Sequence, residues 1–186
     1  MCRLASRRTI ALAMGGVVLL AYVALVGLRV LYPLAYESDI ANLAEIHDLD
    51  PALIAAVVRC ESRFRAAAVS AHGAVGLMQI MPETGAWIAE QIPISDYSTD
   101  RLIEPELNLR LGCWYLRSLL DRFDSRAEAL AAYNAGPTHV ERWARGDGSI
   151  FPETRTFIDR VNASLPVYDA YFSARWLLRI TPSLLL

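Results

Sequence analysis

The chain has 186 residues, enough for one domain with a hydrophobic core and too few for several. Hydrophobic residues make up 54% of it and charged residues 20%, a composition that excludes a disordered protein. Residues 37–186 contain 14 arginines and 20 acidic residues, which gives them a net charge of −6. Because a nucleic-acid binder needs a basic face to neutralise phosphates, this acidic body argues against that class of protein.

An uncharged apolar segment, Ile10–Leu28, follows a basic N-terminal stretch. As an α-helix its 19 residues would measure about 28.5 Å, close to the roughly 30 Å hydrocarbon core of a bilayer. A cleaved signal peptide is the alternative, but its apolar region would be shorter and no A-x-A-like cleavage site follows. We therefore predict a basic cytoplasmic segment over residues 1–9, an uncleaved single-pass anchor over 10–31 and a body outside the cytoplasm. The basic residues that set this orientation are Arg3, Arg7 and Arg8.

Helix start signals divide the rest of the chain into short helices, with little period-2 alternation. Asp50 followed by Pro51 is typical of an N-cap and first helical position, and predicts a helix to about residue 63. Ser125 and Glu128 form a capping box that predicts a helix to about residue 134. The fold class is therefore predicted to be all-α. The other predicted helices span about 37–48, 82–91, 105–123, a short stretch around 143, and a last helix from about 154 that is interrupted at Pro166.

The cysteines and histidines predict neither a disulfide framework nor a metal site. Cys2 falls on the cytoplasmic side, so only Cys60 and Cys113 could pair outside, and each lies in an apolar helical stretch typical of a buried free thiol. No two histidines stand four residues apart on one helix face. We predict no bound metal and no cofactor.

Glu61 lies on the apolar face of the predicted helix that begins at Pro51. At about 100° per residue it is roughly 20° from Ile54 around the helix axis, which points the carboxyl toward the interior. Desolvation would raise its pKa, as a proton donor to a leaving oxygen requires. The alternative is a structural glutamate at the edge of this face, paired with Arg63 or Arg65.

Two further segments carry polar groups suited to binding a sugar. In the loop over residues 65–81, Gly73 and Gly76 permit tight turns, and Gln79 can donate and accept hydrogen bonds. Tyr133 and Asn134 stand at the end of a predicted helix. Each also has a structural interpretation, Tyr133 as a core residue and Asn134 as a helix C-cap.

Four motifs occur in the order seen in one enzyme family: Glu61-Ser62, Gly76-Leu-Met-Gln-Ile80, Ala132-Tyr-Asn-Ala-Gly136 and Pro152-Glu-Thr-Arg155. In this the chain resembles soluble-lytic-transglycosylase-type enzymes, the peptidoglycan lyases of glycoside hydrolase family 23, which have a lysozyme-like fold. The resemblance extends from about Tyr32 to Tyr168. It implies a lytic transglycosylase domain over residues 32–172, in a short membrane-anchored form.

The resemblance also implies a role for individual residues. Glu61 would be the single catalytic acid and base, and Ser70 would contact the substrate's N-acetyl group or the catalytic carboxyl. Phe157 occupies a position where the family has a tyrosine whose hydroxyl lies near the catalytic glutamate, so that contact is missing here. Gln79 and Met81 would line the glycan groove, and the site wall would be formed by Tyr133 and Asn134.

The activity implied is cleavage of the β-1,4 bond between N-acetylmuramic acid and N-acetylglucosamine without water, leaving 1,6-anhydromuramoyl ends. No second carboxylate is needed. The partners would be peptidoglycan glycan strands and the cell membrane, with the catalytic domain on the cell-wall side. The alternatives are a hydrolase similar to goose-type lysozyme, and a non-catalytic peptidoglycan-binding or assembly protein, which the residue Phe157 suggests.

The C-terminal tail over residues 173–186 is apolar but too short to span a bilayer. It could rest on a membrane surface, pack on the domain or be disordered.

Overall fold

The structure, a computed structural model, describes residues 2–94 and 96–180. Over these residues it contains α-helices, one 3-10 helix (Thr99–Ile103) and no strand, so the prediction of an all-α fold is confirmed. The chain forms two compact units, which divide between Leu34 and Ala35. The helices are α1 (Cys2–Leu31), α2 (Glu37–His47), α3 (Pro51–Ser62), α4 (Pro82–Gln91), α5 (Pro105–Arg122), α6 (Arg126–Ala135), α7 (Pro137–Ala144) and α8 (Pro152–Ile180).

Helix α1 makes up most of the first unit. Its segment Ile10–Leu31 has 22 residues, none of them buried, and is long and apolar enough to cross a membrane. At 1.5 Å per residue it measures about 33 Å. A membrane anchor and a signal sequence share these properties, so the choice between them stays a prediction.

Helix α3 is the central helix of the second unit. It begins as predicted, because the backbone N–H of Ala52 donates to the Asp50 carboxylate at 2.8 Å. Every residue from Ala52 to Val58 is buried. A helix that is apolar on all sides must be covered all round, and α3 packs against both α2 and α8.

Helices α5 and α6 join the remaining helices of the second unit. Ser125 caps α6 as predicted, since its hydroxyl oxygen accepts from the backbone N–H of Glu128 at 3.2 Å and the hydroxyl donates to the Glu128 carboxylate at 3.1 Å. Helix α5 packs against α2, α4 and α6, and α6 packs against α7 and α8.

Helix α8 is longer than the sequence predicts. The predicted interruption at Pro166 is wrong, because the helix continues through it to Ile180. Val161 and Leu165 before the proline and Tyr168 after it are all buried, while Pro166 is exposed. Packing on both sides of the proline therefore outweighs the one backbone hydrogen bond that it removes. Residues 173–180 of the predicted tail continue this helix, and 181–186 lie outside the described residues.

Both cysteines of the second unit are free thiols, Cys60 half-buried and Cys113 buried. Burial raises the pKa of both thiols above the usual value. Over the described ranges, no three His, Cys, Asp or Glu side chains are grouped so that they could hold a metal ion.

Candidate active site

Glu61 stands in the last turn of α3, where the chain turns sharply. The helix ends because Arg63 and Phe64 both adopt the left-handed conformation, with φ of 53° and 62°. Glu61 is half-buried, so part of this residue remains exposed to a ligand. Its pairing with an arginine is not observed: the Arg65 Nε donates instead to the Ser62 carbonyl at 3.1 Å. Within the described chain the Glu61 carboxyl makes no hydrogen bond or ion pair.

The surroundings of the Glu61 carboxyl favour its protonated form. Burial raises the pKa of Glu61 from 4.5 to about 8. With no cation beside it to favour the charged form, desolvation is unopposed, and the negative end of the α3 dipole acts in the same direction. A carboxyl that is protonated at neutral pH and still accessible can donate a proton to a ligand.

The loop between α3 and α4 folds tightly beside Glu61. Val75 and Ile80 exchange backbone hydrogen bonds of 3.0 and 2.9 Å. Gln79 lies between them with φ of 50°, and its side-chain N–H groups donate to the carbonyls of Ala68 (3.1 Å) and Gly76 (2.9 Å). The amide nitrogen of Gln79 therefore stabilises the loop, which leaves its carbonyl oxygen as the group that can meet a ligand.

Ser70 lies within this loop, and Met81 is its last residue before α4. The Ser70 hydroxyl oxygen accepts from the backbone N–H groups of Ala74 at 2.9 Å and His72 at 3.3 Å, so it closes a local turn. Among the hydrogen bonds of the described residues, none joins it to Glu61, and its contact with the substrate stays a prediction. Met81 precedes α4 with 36% of its surface exposed, which a groove residue requires.

Two side chains attach the loop to neighbouring helices. The Ser62 hydroxyl, directly after Glu61, donates to the Leu77 carbonyl at 2.8 Å and is buried. The Tyr133 hydroxyl donates to the Met78 carbonyl at 2.7 Å. The loop is therefore fixed to α3 on one side and to α6 on the other.

Asn108 of α5 forms a third attachment, to which the sequence alone assigned no role. It is completely buried; its side-chain oxygen accepts from the backbone N–H of Met78 at 2.7 Å. Its amide group donates to the carbonyls of Val75 and Leu102, both at 2.8 Å. Its position between Leu107 and Leu109, a polar residue between two apolar ones, is the sequence signal that could have indicated this role.

Tyr133 and Phe157 form a stacked pair. Their rings are nearly parallel, 6° apart, with centroids separated by 6.5 Å. Burial raises the pKa of the Tyr133 hydroxyl well above its usual value, and the charge of Glu61 acts in the same direction. Phe157 is buried and presents a ring without a hydroxyl, so it fills space and offers Glu61 no hydrogen bond.

Asn134 is exposed and is held by a residue of helix α8. The buried Thr154 of α8 donates from its hydroxyl to the Asn134 side-chain oxygen at 2.9 Å. Asn134 is not the helix cap, because α6 ends at Ala135 and its C-cap is Gly136. This hydrogen bond fixes the plane of the Asn134 side-chain amide, and Thr154 is a positioning residue that sequence reasoning missed.

Comparison with known proteins gives one consistent result. The family model described as "Transglycosylase SLT domain" matches residues 39–152. The soluble lytic murein transglycosylase of Salmonella typhimurium is 36% identical over 154 residues, which are 76% of this chain and 23% of that protein. A membrane-bound lytic murein transglycosylase F of Alteromonas mediterranea is 35% identical over 101 residues, 50% of this chain and 20% of that protein.

Solved structures agree. The lytic transglycosylase Slt of Pseudomonas aeruginosa, an inactive mutant with glutamine in place of a glutamate, superposes with a TM-score of 0.73 at 33% identity. It covers 79% of this chain, which spans only 26% of the Pseudomonas chain. The lysozyme-like architecture is confirmed. Since the family model covers more than half of the sequence and the fold agrees, the chain belongs to the transglycosylase SLT domain family.

Proposed function

We propose that this protein is a lytic transglycosylase that cuts the β-1,4 bond between N-acetylmuramic acid and N-acetylglucosamine in peptidoglycan. The observation that carries the proposal is Glu61: an accessible carboxyl with a pKa of about 8 and no partner of its own in the described chain. Murein is also the substrate named for the relatives, of which this chain spans about a quarter.

In the first step the Glu61 carboxyl donates its proton to the glycosidic oxygen. The bond between that oxygen and C1 of the muramoyl residue breaks, and the N-acetylglucosamine strand leaves with the proton. The positive charge that develops at C1 is met by the acetamido oxygen of the same sugar. Because the substrate supplies this nucleophile, the protein needs no second carboxylate, unlike the two-carboxylate glycosidases.

In the second step the Glu61 carboxylate removes the proton from the muramoyl C6 hydroxyl. The C6 oxygen forms a bond to C1 as the acetamido oxygen departs, which closes the 1,6-anhydro ring and returns the proton to Glu61. No water is consumed. A pKa near neutrality suits a group that must first give and then take a proton.

The neighbouring residues would bind and orient the sugars. The free carbonyl oxygen of Gln79, the exposed Met81 and the fixed amide of Asn134 are the groups that the loop and α6 present to a ligand. Ser70 would meet the N-acetyl group. The stacked rings of Tyr133 and Phe157 would form an apolar part of the site wall.

Mass analysis of digested peptidoglycan tests the reaction. The expected products carry anhydromuramoyl ends and are lighter by one water than the products of hydrolysis. Reducing ends of full mass would instead assign the chain to the hydrolases similar to goose-type lysozyme. Binding of peptidoglycan with no cleavage at all would support the non-catalytic alternative, which the missing hydroxyl at Phe157 motivates.

We also propose that α1 anchors the protein in the cell membrane, with the N-terminus in the cytoplasm and the second unit on the cell-wall side. The apolar segment Ile10–Leu31 and the preceding arginines support this. Alkaline phosphatase, which is active only outside the cytoplasm, fused after residue 172 is expected to be active, and the fusion should stay in the membrane at full length. An inactive fusion would contradict the orientation, and a shortened, released one would indicate a cleaved signal peptide.

A further inference from the structure

A cavity lies between α2, α5 and the segment that follows α4. Its volume is about 390 Å³, and Glu106 and Arg110 of α5 form part of its wall. Asn108, which is hydrogen-bonded to the loop beside Glu61, stands midway between them in the sequence. Two positions turn a helix by about 200°, so Glu106 and Arg110 point away from that loop, and both are exposed. The cavity therefore opens on a different face of α5 from the one that holds the candidate active site.

Negative groups of the cavity stand at the starts of its two helices. Asp39 and Glu106 each lie in the first turn, where the helix dipole favours the ionised carboxylate. In the described structure neither carboxylate makes a hydrogen bond or an ion pair. Both are therefore available to bind a positive group.

The positive charge of the cavity comes from Arg110, whose guanidinium is held in position. Its Nη2 donates to the Pro93 carbonyl at 3.1 Å, which is the one hydrogen bond that it makes among the described residues. The other N–H groups can bind a carboxylate in the forked geometry that arginine favours. His47 lines the same cavity; burial lowers its pKa, and the charge of Arg110 acts in the same direction. At neutral pH His47 therefore adds a hydrogen-bonding group and no charge.

The rest of the cavity wall is largely apolar. Leu43 is buried, Ile92 is half-buried and Ile46 is 62% exposed. An exposed isoleucine at the edge of a cavity offers apolar surface that an aliphatic side chain can cover. A ligand that satisfies the whole cavity must therefore combine a cationic group, a carboxylate and an aliphatic portion.

The dimensions of the cavity limit such a ligand to a few residues of peptide. Its volume lies at the lower end of the range for small-molecule sites, about 300–1,000 Å³. An extended peptide spans about 3.3–3.6 Å per residue, so the ends of two or three residues are about 7–11 Å apart. Glu106 and Arg110 are about 6 Å apart along α5, and their long side chains can reach both ends of such a peptide.

We propose that this cavity binds a free peptide of two or three residues, with its amino group at Asp39 and Glu106 and its terminal carboxylate at Arg110. An aliphatic side chain of the peptide lies against Ile46 and Ile92. The ligand is neither a glycan nor a part of the strand that is cut, so the inference goes beyond the proposed function and does not depend on it.

The test measures binding of the tripeptide Ala-Leu-Ala to the full chain in detergent by titration calorimetry. Acetylating its amino end or amidating its carboxyl end removes one charge, and each change is expected to weaken binding about tenfold. Arg110→Gln should cause a similar loss. The amidated and free peptides should then bind this variant equally, because the two changes remove the same contact. Combining Asp39→Asn with Glu106→Gln should likewise abolish the effect of acetylation.

The matched control is Arg126→Gln, at an exposed arginine of α6 outside the cavity, which should leave the affinity unchanged. An N-acetylglucosamine hexamer at saturating concentration should not displace the tripeptide. Equal affinity for free and capped peptides, an equal loss in Arg126→Gln, displacement by the hexamer, or no binding of the tripeptide at millimolar concentration would each overturn the inference. So would binding confined to peptides joined to peptidoglycan sugars, because the cavity would then belong to the substrate site.

Discussion

Replacing Glu61 by glutamine is expected to lower peptidoglycan cleavage by at least about a thousandfold. A positioned general acid or base contributes about 10²–10⁴ to a rate, and here the same group would serve as both. Glutamine keeps the size and hydrogen-bonding shape of the side chain but can neither give nor take the proton. The measurement is release of soluble muropeptides by the full chain in detergent.

The same substitution is expected to stabilise the fold. The pKa of Glu61 is raised from 4.5 to about 8, so the folded state holds a proton that the unfolded state has lost between these two pH values. The contribution of the protonated carboxyl to stability is therefore complete below pH 4.5 and is lost as the pH rises through about 8. At pH 7 the Glu61→Gln variant should be more stable than wild type by about 3 kcal/mol, and near pH 4 the two should be equal.

The pH dependence of activity follows from the raised pKa of Glu61. Because the first step needs the protonated carboxyl, kcat/KM should fall as the pH rises through about 8. Glu90→Gln, at an exposed position on α4, is the matched control and should alter neither rate nor stability. Substantial cleavage by the Glu61→Gln variant, or an equal loss of stability with pH in both proteins, would refute the assignment.

Much of the fold follows from short-range signals. The starts of α3 and α6 are set by contacts within four residues, between Asp50 and Ala52 and between Ser125 and Glu128, and these can be read from sequence. Pro166 is the contrary case. Its local preference predicts a break, but the buried residues on either side, which are far in sequence from what they contact, keep α8 continuous.

The candidate site shows the same difference between local sequence signals and contacts between residues far apart in the chain. Placing Glu61 on an apolar helix face predicts its raised pKa, because the face of a helix is a local property. The partners that fix the other groups are 20 to 55 residues away along the chain. The Thr154 hydroxyl donates to the Asn134 side-chain oxygen, and the Tyr133 hydroxyl donates to the Met78 carbonyl. Nothing in the spacing of these residues shows which hydroxyl reaches which acceptor. Such pairings depend on how the helices pack.

Asn108→Ala is expected to destabilise the second unit by about 3–5 kcal/mol, as measured by urea denaturation. The substitution leaves the N–H of Met78 and the carbonyls of Val75 and Leu102 without their partner in a buried place, and each such group costs about 1–3 kcal/mol. Asn162→Ala, an exposed asparagine on α8, should change stability by less than about 0.5 kcal/mol.

Activity should fall together with stability, because Asn108 holds the loop that carries Gln79. A displacement of about 1 Å is enough to reduce turnover about a hundredfold, so the loss should persist at temperatures where the variant is still folded.

Gly76→Ala offers an independent check with Asn108 intact: Gly76 has φ of +86°, and an added Cβ would come within 2.5 Å of the Asn108 Cγ. If both variants retained wild-type stability and turnover, the loop would not depend on this contact, and the geometry around Glu61 would have to be maintained by Ser62 and Tyr133 alone.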